Sequence, residues 1–134
     1  MNTEEHVLDT HDRRIVDVTD LIVAFCASDG RSGLVQVFVP HATAGVAVME
    51  TGSGSEDDLE EFLERLLPRD DRYVHRHGPR GHGGDHLLPV VVAPSITIPV
   101  LDGEPVLGTW QRVVVVDPNR NNDERRLRLS FVPA

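Results

Sequence analysis

Four consecutive valines, Val113 to Val116, constrain the fold of this chain more than any other feature of the sequence. β-Branched side chains favour extended backbone, and successive residues of a strand point to opposite faces. A strand that is apolar at every position therefore has to be covered on both faces. The last segment, "RRLRLSFV", instead alternates Leu127, Leu129 and Phe131 with arginine and serine. The sequence thus predicts one doubly covered strand and one strand with a solvated face.

The spacing of apolar residues predicts further strands. They lie in "RRIVDV" (residues 13–18), in "GLVQVFVP" (33–40) and in "AGVAVME" (44–50). The segments "SITIPV", "LDGE" and "PVLGTWQRVVVVD" follow one another and predict a β-hairpin with Asp102-Gly103 at its tip.

Two helices are predicted between these strands. "TDLIVAFCASDG" has apolar residues at helical spacing and a glycine stop, and "SEDDLEEFLERLLP", residues 55–68, has one apolar face. Ser55 is the expected cap of the second helix and Pro68 its expected end. Because the helices and strands do not alternate regularly, the sequence predicts an α+β fold and argues against a doubly wound nucleotide-binding fold.

Length and charge restrict the classes of function. A chain of 134 residues is expected to form one domain spanning residues 1–134. Its net charge of −9 repels nucleic-acid phosphates and anionic membrane surfaces, so neither is an expected partner. Cys26 is the only cysteine, so no disulfide can form within the chain and a reducing compartment is the simpler assumption. The sequence has no secretory signal and no apolar run of the ~18 residues that a membrane span needs. A cytoplasmic location is therefore expected.

Histidines are concentrated in "RYVHRHGPRGHGGDHLLP", residues 72–89, which contains His75, His77, His82 and His86. His75 and His77 share one side of an extended chain, and His82 and His86 share one face of a helix. Neither spacing matches a zinc-binding motif, so the residues alone leave a metal site and a solvated loop both open. The sequence has no P-loop, dinucleotide-binding or nucleophile-elbow motif.

His41 stands after a predicted strand and opens the segment that carries Glu50. One interpretation is a strand-end histidine that is hydrogen-bonded to the backbone. The other is that His41 and Glu50 join the histidine loop at one site, where the carboxylate is a metal ligand or a general base. The residues alone do not decide between these two interpretations.

Five segments in the same order resemble one known family. "HATAGVAVME", the helix ending "LERLLP", the loop that ends in His86, "APSITIPV" and "LGTWQ" are together similar to the YjbQ-type family, also called UPF0047 or secondary thiamine-phosphate synthase. The resemblance extends from about residue 13 to the C-terminus, and "SITIPVLDGEPVLGTWQ" is its most specific part. It implies a compact α+β fold, a β-sandwich with helices packed against it, assembled as a homotrimer with a site near the subunit interface.

The resemblance also implies roles for particular residues. His41, His75 and His86 would hold a divalent metal ion, zinc or another transition metal, with magnesium also compatible. Glu50 would transfer a proton or complete the ligand set, although Met49 stands where the family has an asparagine. His77 and His82 correspond less clearly to the family's loop histidines, and both could simply be solvated. The matching residues of the C-terminal signature would contact substrate: Ser95, Thr97, Thr109 and Gln111. Trp110 is expected to anchor the core or an interface.

The function implied by the resemblance is the condensation of a pyrimidine pyrophosphate with a thiazole phosphate, as a main or a side activity. A chain of this length is too short for a (β/α)₈ barrel of about 250 residues, so any such activity would use a different scaffold. Histidine ligands favour Zn²⁺, Ni²⁺, Co²⁺ or Fe²⁺ over the Mg²⁺ that usually assists pyrophosphate departure. Two alternatives therefore stay open: a hydrolase or lyase acting on a small phosphorylated metabolite, and a non-catalytic metal-binding homotrimer.

Overall fold

The computed structural model describes residues 1–121 and 123–134, and within them the chain forms two antiparallel sheets and four helices. The larger sheet contains, in spatial order, β1 (Asn2–Asp9), β8 (Glu124–Pro133), β3 (Gly33–Phe38), β5 (Ser95–Leu101) and β6 (Glu104–Pro105). The smaller sheet contains β2 (Ile15–Asp17), β7 (Arg112–Val116) and β4 (Gly45–Met49). The helices are α1 (Thr19–Asp29), α2 (Ser55–Leu66), α3 (His82–Asp85) and α4 (Leu88–Val91).

The two sheets share one core. Val35 and Leu129 of the larger sheet, Val113 and Val115 of the smaller sheet, and Phe25 of α1 belong to the same buried cluster. The predicted α+β class is confirmed at the level of a mixed fold with antiparallel sheets and helices packed on them.

The valine strand β7 is covered on both faces, as its composition predicts. Val113 and Val115 face the shared core, whereas Val114 and Val116 pack with Leu63 of α2 and with Leu88. Each buried valine side chain contributes about 1.5–3 kcal/mol relative to an exposed one. Since both covers come from the same chain, a partner subunit is not needed to explain this strand.

The N-terminal strand β1 has no counterpart among the predicted strands. It pairs with β8 over its whole length, from Asn2 opposite Phe131 to Asp9 opposite Glu124. Leu8 is the one of its hydrophobic residues that is buried, so the segment carries little apolar periodicity of its own. Its strand conformation depends on a partner from the other end of the chain, which local pattern cannot reveal.

Two local predictions need correction. The predicted hairpin with Asp102-Gly103 at its tip forms between β5 and β6, but its second strand is short. β6 ends at Pro105, and the valines that follow enter the other sheet. Ser55 does not cap α2. Gly54 is in the N-cap position and Ser55 is the first residue of the helix, while the Glu56 side chain accepts a hydrogen bond from the Gly52 amide.

Within the described residues, every helix is too short or too polar to cross a membrane. The longest of them, α2, has 12 residues.

Candidate metal centre

The histidine loop is folded tightly onto α3 by its glycines. The Tyr73 hydroxyl donates a hydrogen bond to the Pro68 carbonyl at 2.7 Å, which fixes the start of the loop. A Cβ atom on Gly83 would lie 2.6 Å from the His75 carbonyl oxygen, and one on Gly84 would lie 2.8 Å from the Tyr73 hydroxyl. Only glycine allows this approach. The sequence "HGGDH" therefore brings the segment that carries His75 against the helix that leads to His86.

Three histidines of this loop converge. The candidate ligand atoms of His75, His77 and His86 all lie within 4.8 Å of one another. The ring centroids of His75 and His77 are 4.2 Å apart, and those of His75 and His86 are 4.9 Å apart. His77 is thus a full member of the group. From sequence alone, it could have been only a solvated loop residue. We call these three residues the histidine triad.

The triad fits a transition metal in both donor type and spacing. Two imidazole nitrogens on one tetrahedral zinc are about 3.3 Å apart, given Zn–N distances of about 2.0–2.1 Å. The ligand atoms of the triad are up to 4.8 Å apart, which is farther than two ligands of one zinc ion. Rotation of the side chains can close the difference, because His75 and His77 are exposed and His86 is half-buried. Neutral imidazole is a ligand for Zn²⁺, Co²⁺, Ni²⁺ and Fe²⁺.

A buried histidine and a buried carboxylate lie behind the triad. The Nε2 atoms of His82 and His86 are 2.8 Å apart, and Nδ1 of His82 is 3.7 Å from Oδ2 of Asp85. Arg69 donates a hydrogen bond to Oδ1 of Asp85 at 2.7 Å. From sequence, His82 is a less clear candidate than His75 and His86, and Asp85 is not among the candidates. The signal for both is the i, i+3, i+4 spacing of His82, Asp85 and His86, which places them on one side of a helical turn.

Burial and neighbouring rings favour the neutral form of two of these histidines, His75 and His82. Desolvation lowers the pKa of His75, and the His77 and His86 rings lower it further. Burial likewise lowers the pKa of His82, against the opposing effect of Asp85. Burial raises the pKa of Asp85, although the Arg69 guanidinium opposes that rise. A neutral imidazole has a lone pair available for a metal ion.

A pocket of about 120 Å³ opens beside the triad. Its ionisable lining consists of three histidines, two arginines and two carboxylates: His75, His77, His82, Arg76, Arg80, Asp70 and Asp71. Small-molecule sites usually enclose about 300–1,000 Å³. The pocket therefore has room for one charged group of a ligand, such as a phosphate, and not for a whole metabolite.

His41 lies at a different place on the molecule. Its Nε2 accepts a hydrogen bond from the Arg126 amide at 2.8 Å, and it borders an open cavity together with Val7 and Glu124. Burial lowers the pKa of His41, as do the nearby Arg125 and Arg126 guanidinium groups. In the part of the chain that the structure describes, His41 is outside the triad, so a single chain does not assemble the predicted set of His41, His75 and His86.

The other predicted site residues also lie away from the triad. Glu50 is exposed after the end of β4. Ser95 and Thr97 are on β5, opposite Phe38 and Gln36 of β3. None of these side chains lines the pocket beside the triad, as far as the described residues define it.

The segment after β6 contains the last predicted contacts. Thr109 is exposed, and Oε1 of Gln111 accepts a hydrogen bond from the Gly108 amide at 2.8 Å, which closes a turn. Trp110 is 72% exposed, so it is not a core anchor within the chain. Its role at an interface stays a prediction.

Cys26 is fully buried in the shared core. Burial raises the pKa of its thiol to about 11. The thiol is therefore protonated at neutral pH and acts as a packing group.

Comparison with known proteins relates the whole chain to one family. The family model described as UPF0047 protein YjbQ-like matches residues 4–134. The UPF0047 protein Rv2556c of Mycobacterium tuberculosis is 61% identical over 132 residues, which is 98% of each chain.

Solved structures give the same relationship. The hypothetical protein APE1520 of Aeropyrum pernix K1 superposes with a TM-score of 0.88 at 30% identity, over 100% of both chains. An uncharacterized conserved protein of the yjbq/upf0047 family from Clostridium acetobutylicum superposes with a TM-score of 0.85 at 25% identity, over 96% of this chain and 99% of the other.

Proposed function

The chain belongs to the UPF0047 protein YjbQ-like family, and from this premise we propose that it binds a divalent transition metal through the histidine triad and acts on a small phosphorylated molecule. The observation that carries the proposal is the convergence of three imidazoles within 4.8 Å. Three protein ligands leave one tetrahedral position for water or substrate, which is the arrangement of catalytic zinc sites.

Two arginines of the pocket beside the triad, Arg76 and Arg80, support an anionic substrate group. Arg76 is held by the backbone, since its guanidinium donates hydrogen bonds to the carbonyls of Tyr73 and Asp71. Arg80 is 71% exposed at its side chain and pairs only loosely with Asp71, at 3.7 Å. Its guanidinium can therefore turn to a phosphate group in the adjoining pocket. When bound, a transition metal at the triad supplies Lewis acidity to a phosphoryl oxygen.

Two reactions suit such a site. In the thiamine-phosphate synthase type, the thiazole nitrogen supplies the electron pair of a new carbon–nitrogen bond to the pyrimidine methylene carbon. Pyrophosphate leaves with the electrons of the broken carbon–oxygen bond. In the hydrolytic type, water attacks the phosphorus of a phosphate monoester. The alcohol leaves with the electron pair of the broken phosphorus–oxygen bond and takes up the proton that the water releases. An imidazole ligand set favours Zn²⁺ or Co²⁺ over Mg²⁺ in either reaction.

A turnover assay separates these possibilities. Tag-free protein is stripped with a chelator, reloaded with Zn²⁺, Co²⁺ or Mg²⁺, and supplied either with the two thiamine precursors or with simple phosphate monoesters. We expect turnover of one substrate class with Zn²⁺ or Co²⁺, and its loss in His86→Ala. Metal binding without turnover of either class would favour the non-catalytic alternative. Turnover that survives in His86→Ala would contradict the proposed site.

We further propose that the protein assembles as a homotrimer in which His41, Ser95 and Thr97 reach the triad of a neighbouring copy. The outer face of the larger sheet supports this proposal. Leu34 lies opposite Val132 and Pro99 on that face, and Leu34 and Val132 are 46% and 48% exposed. Trp110 adds a large exposed apolar surface elsewhere. An apolar surface of this kind is typical of an interface.

Mixed trimers test the sharing of sites. His41→Ala and His86→Ala chains are each expected to be inactive alone. Random assembly of equal amounts places an intact triad beside an intact His41 at about a quarter of the interfaces of a ring, so about a quarter of wild-type turnover should return. No recovery in mixed trimers, or a monomer by native mass spectrometry, would contradict the proposal.

A further inference from the structure

Asp85 is a buried carboxylate with one oxygen in use and one directed at a histidine. Its side chain is 5% exposed, and Oδ1 accepts the hydrogen bond from Arg69. The same Arg69 nitrogen also donates to the Pro118 carbonyl at 2.6 Å, so the guanidinium is fixed in place. Oδ2 of Asp85 lies 3.7 Å from Nδ1 of His82. A rigid negative charge thus faces one specific ring nitrogen.

This charge decides where His82 carries its proton. Nδ1 of His82 is buried, and among the described residues it has no hydrogen-bond partner, while Asp85 is the carboxylate beside it. A lone pair on Nδ1 would be repelled by the carboxylate, whereas an N–H is attracted to it. The favoured tautomer of His82 therefore has its proton on Nδ1 and its lone pair on Nε2.

The tautomer of His86 follows from that of His82. Their Nε2 atoms are 2.8 Å apart, which is a hydrogen-bond distance and requires one donor and one acceptor. Since Nε2 of His82 is the acceptor, Nε2 of His86 carries the proton and Nδ1 of His86 keeps a free lone pair. The two Nε2 atoms are also closer than the about 3.3 Å that separates two ligands of one tetrahedral zinc.

We propose that Arg69, Asp85 and His82 form a positioning relay that fixes the tautomer and orientation of His86, so that His86 offers Nδ1 to the metal and His82 is not itself a ligand. The inference rests on the proposed metal site and names the residues that support it. Hydrogen-bonded carboxylates behind ligating histidines orient the imidazole and raise its basicity. With His82 outside the ligand set, three imidazoles bind the metal and the site keeps its open position.

The tautomers can be measured without any metal. In metal-free protein labelled with ¹⁵N-histidine, long-range ¹H–¹⁵N correlation spectra distinguish protonated from unprotonated ring nitrogens. We expect a protonated Nδ1 in His82 and a protonated Nε2 in His86. A protonated Nε2 in His82 would overturn the relay whether or not the protein binds metal. The tautomer assignment therefore stands or fails separately from the proposed function.

Metal titration tests the consequence. Loss of a supporting group behind a metal ligand lowers affinity by about 10–100-fold, which is the effect expected for Zn²⁺ and His82→Ala. His82→Gln keeps an oxygen that can accept from Nε2 of His86, so it should restore affinity to within about 3-fold of wild type and leave the visible spectrum of bound Co²⁺ unchanged. Asp29→Asn is the matched control, because Asp29 is a similarly buried acid that pairs with Arg31, remote from the histidines.

Two results would overturn the relay. If His82→Gln alters the Co²⁺ spectrum as much as His86→Ala does, His82 is a ligand. If His82→Ala binds Zn²⁺ as tightly as wild type, it has no positioning role. If the wild-type protein binds no metal at all, the proposed function fails, and the relay is then decided by the tautomer spectra alone.

Discussion

Two buried carboxylates in this molecule each pair with an arginine near a histidine, yet their surroundings differ. Asp117 is 3% exposed and accepts hydrogen bonds from the buried Arg125, from the Thr43 hydroxyl and from the Asn119 amide. His41, near this pair, already uses Nε2 to accept from a backbone amide. Asp117 is thus saturated by groups that connect strands and turns.

Asp85 is buried to a similar degree but is less completely satisfied. One of its oxygens faces His82 without a hydrogen bond, and its partner Arg69 is 35% exposed at the side chain. The comparison shows how one combination of side chains serves two ends. The Asp117–Arg125 pair, whose carboxylate is fully hydrogen-bonded, stabilises the fold. The Asp85–Arg69 pair has a carboxylate oxygen without a hydrogen bond beside several imidazoles, and it is therefore positioned to act on them.

The largest expected difference between the two regions is in stability. Asp117→Ala removes the carboxylate with which the buried Arg125 guanidinium pairs, and breaking a buried ion pair in this way costs about 3–5 kcal/mol. Asp85→Ala should cost about 1 kcal/mol, because Arg69 is partly exposed and keeps the Pro118 carbonyl as an acceptor, and the desolvated carboxylate is removed. Urea denaturation measures the free energy of unfolding of both variants. An equal decrease in the two would contradict the different roles given to the two carboxylates.

Zn²⁺ affinity should depend strongly on the region around Asp85 and only weakly on the region around Asp117. His86→Ala removes a member of the triad and should weaken Zn²⁺ binding by more than about 100-fold, beyond the effect of losing a supporting group. His41→Ala should change it by less than about 3-fold, since His41 lies outside the triad. Competition with a chromophoric chelator gives both constants. An equal loss in the two variants would place His41 among the ligands.

The pH dependence of stability should be shared by both regions. His41 and His82 have pKa values lowered by burial, so the unfolded chain binds their protons at a higher pH than the folded chain does. Their contribution to stability is therefore complete above about pH 6.5 and is lost as the pH falls through the lower folded-state values. Denaturation of metal-free protein at pH 7.5, 6.5 and 5.5 should show this decline. His41→Gln and His82→Gln should each reduce it, and an unchanged decline in both would refute the assignment.

The smallest effect is expected for Glu50→Gln. Glu50 is exposed and is not a member of the triad, so Zn²⁺ affinity should stay within about 2-fold of wild type. If turnover nevertheless falls, Glu50 acts on a substrate held by a neighbouring copy. A large loss of affinity would instead show that the carboxylate completes the ligand set.

Local pattern predicts those elements whose apolar spacing is set by one nearby core. The strands β2, β3, β4, β5, β7 and β8 and the helices α1 and α2 follow from it. β1 does not, because its partner β8 is at the opposite end of the chain. The division of the valines between two packing layers also depends on α2 and Leu88, which contact them only in the folded chain.

The candidate site was predictable in part. His75 and His86 follow from the resemblance to the family, and the structure brings their rings together. The membership of His77 in the triad depends on the turn between Gly78 and Gly81, which sequence spacing does not define. Asp85 is marked in the sequence only by its i, i+3, i+4 spacing with His82 and His86, and its importance appears when its burial and its distance to His82 are known.

Zinc titration of the tag-free wild-type protein by calorimetry tests the central claim most directly. The proposed site predicts one Zn²⁺ bound per chain. It also predicts no binding by a variant that combines His75→Ala, His77→Ala and His86→Ala, with a urea midpoint close to that of metal-free wild type. Failure of the wild-type protein to bind zinc, or equal binding by the triple variant, would show that the histidine triad is not a metal centre.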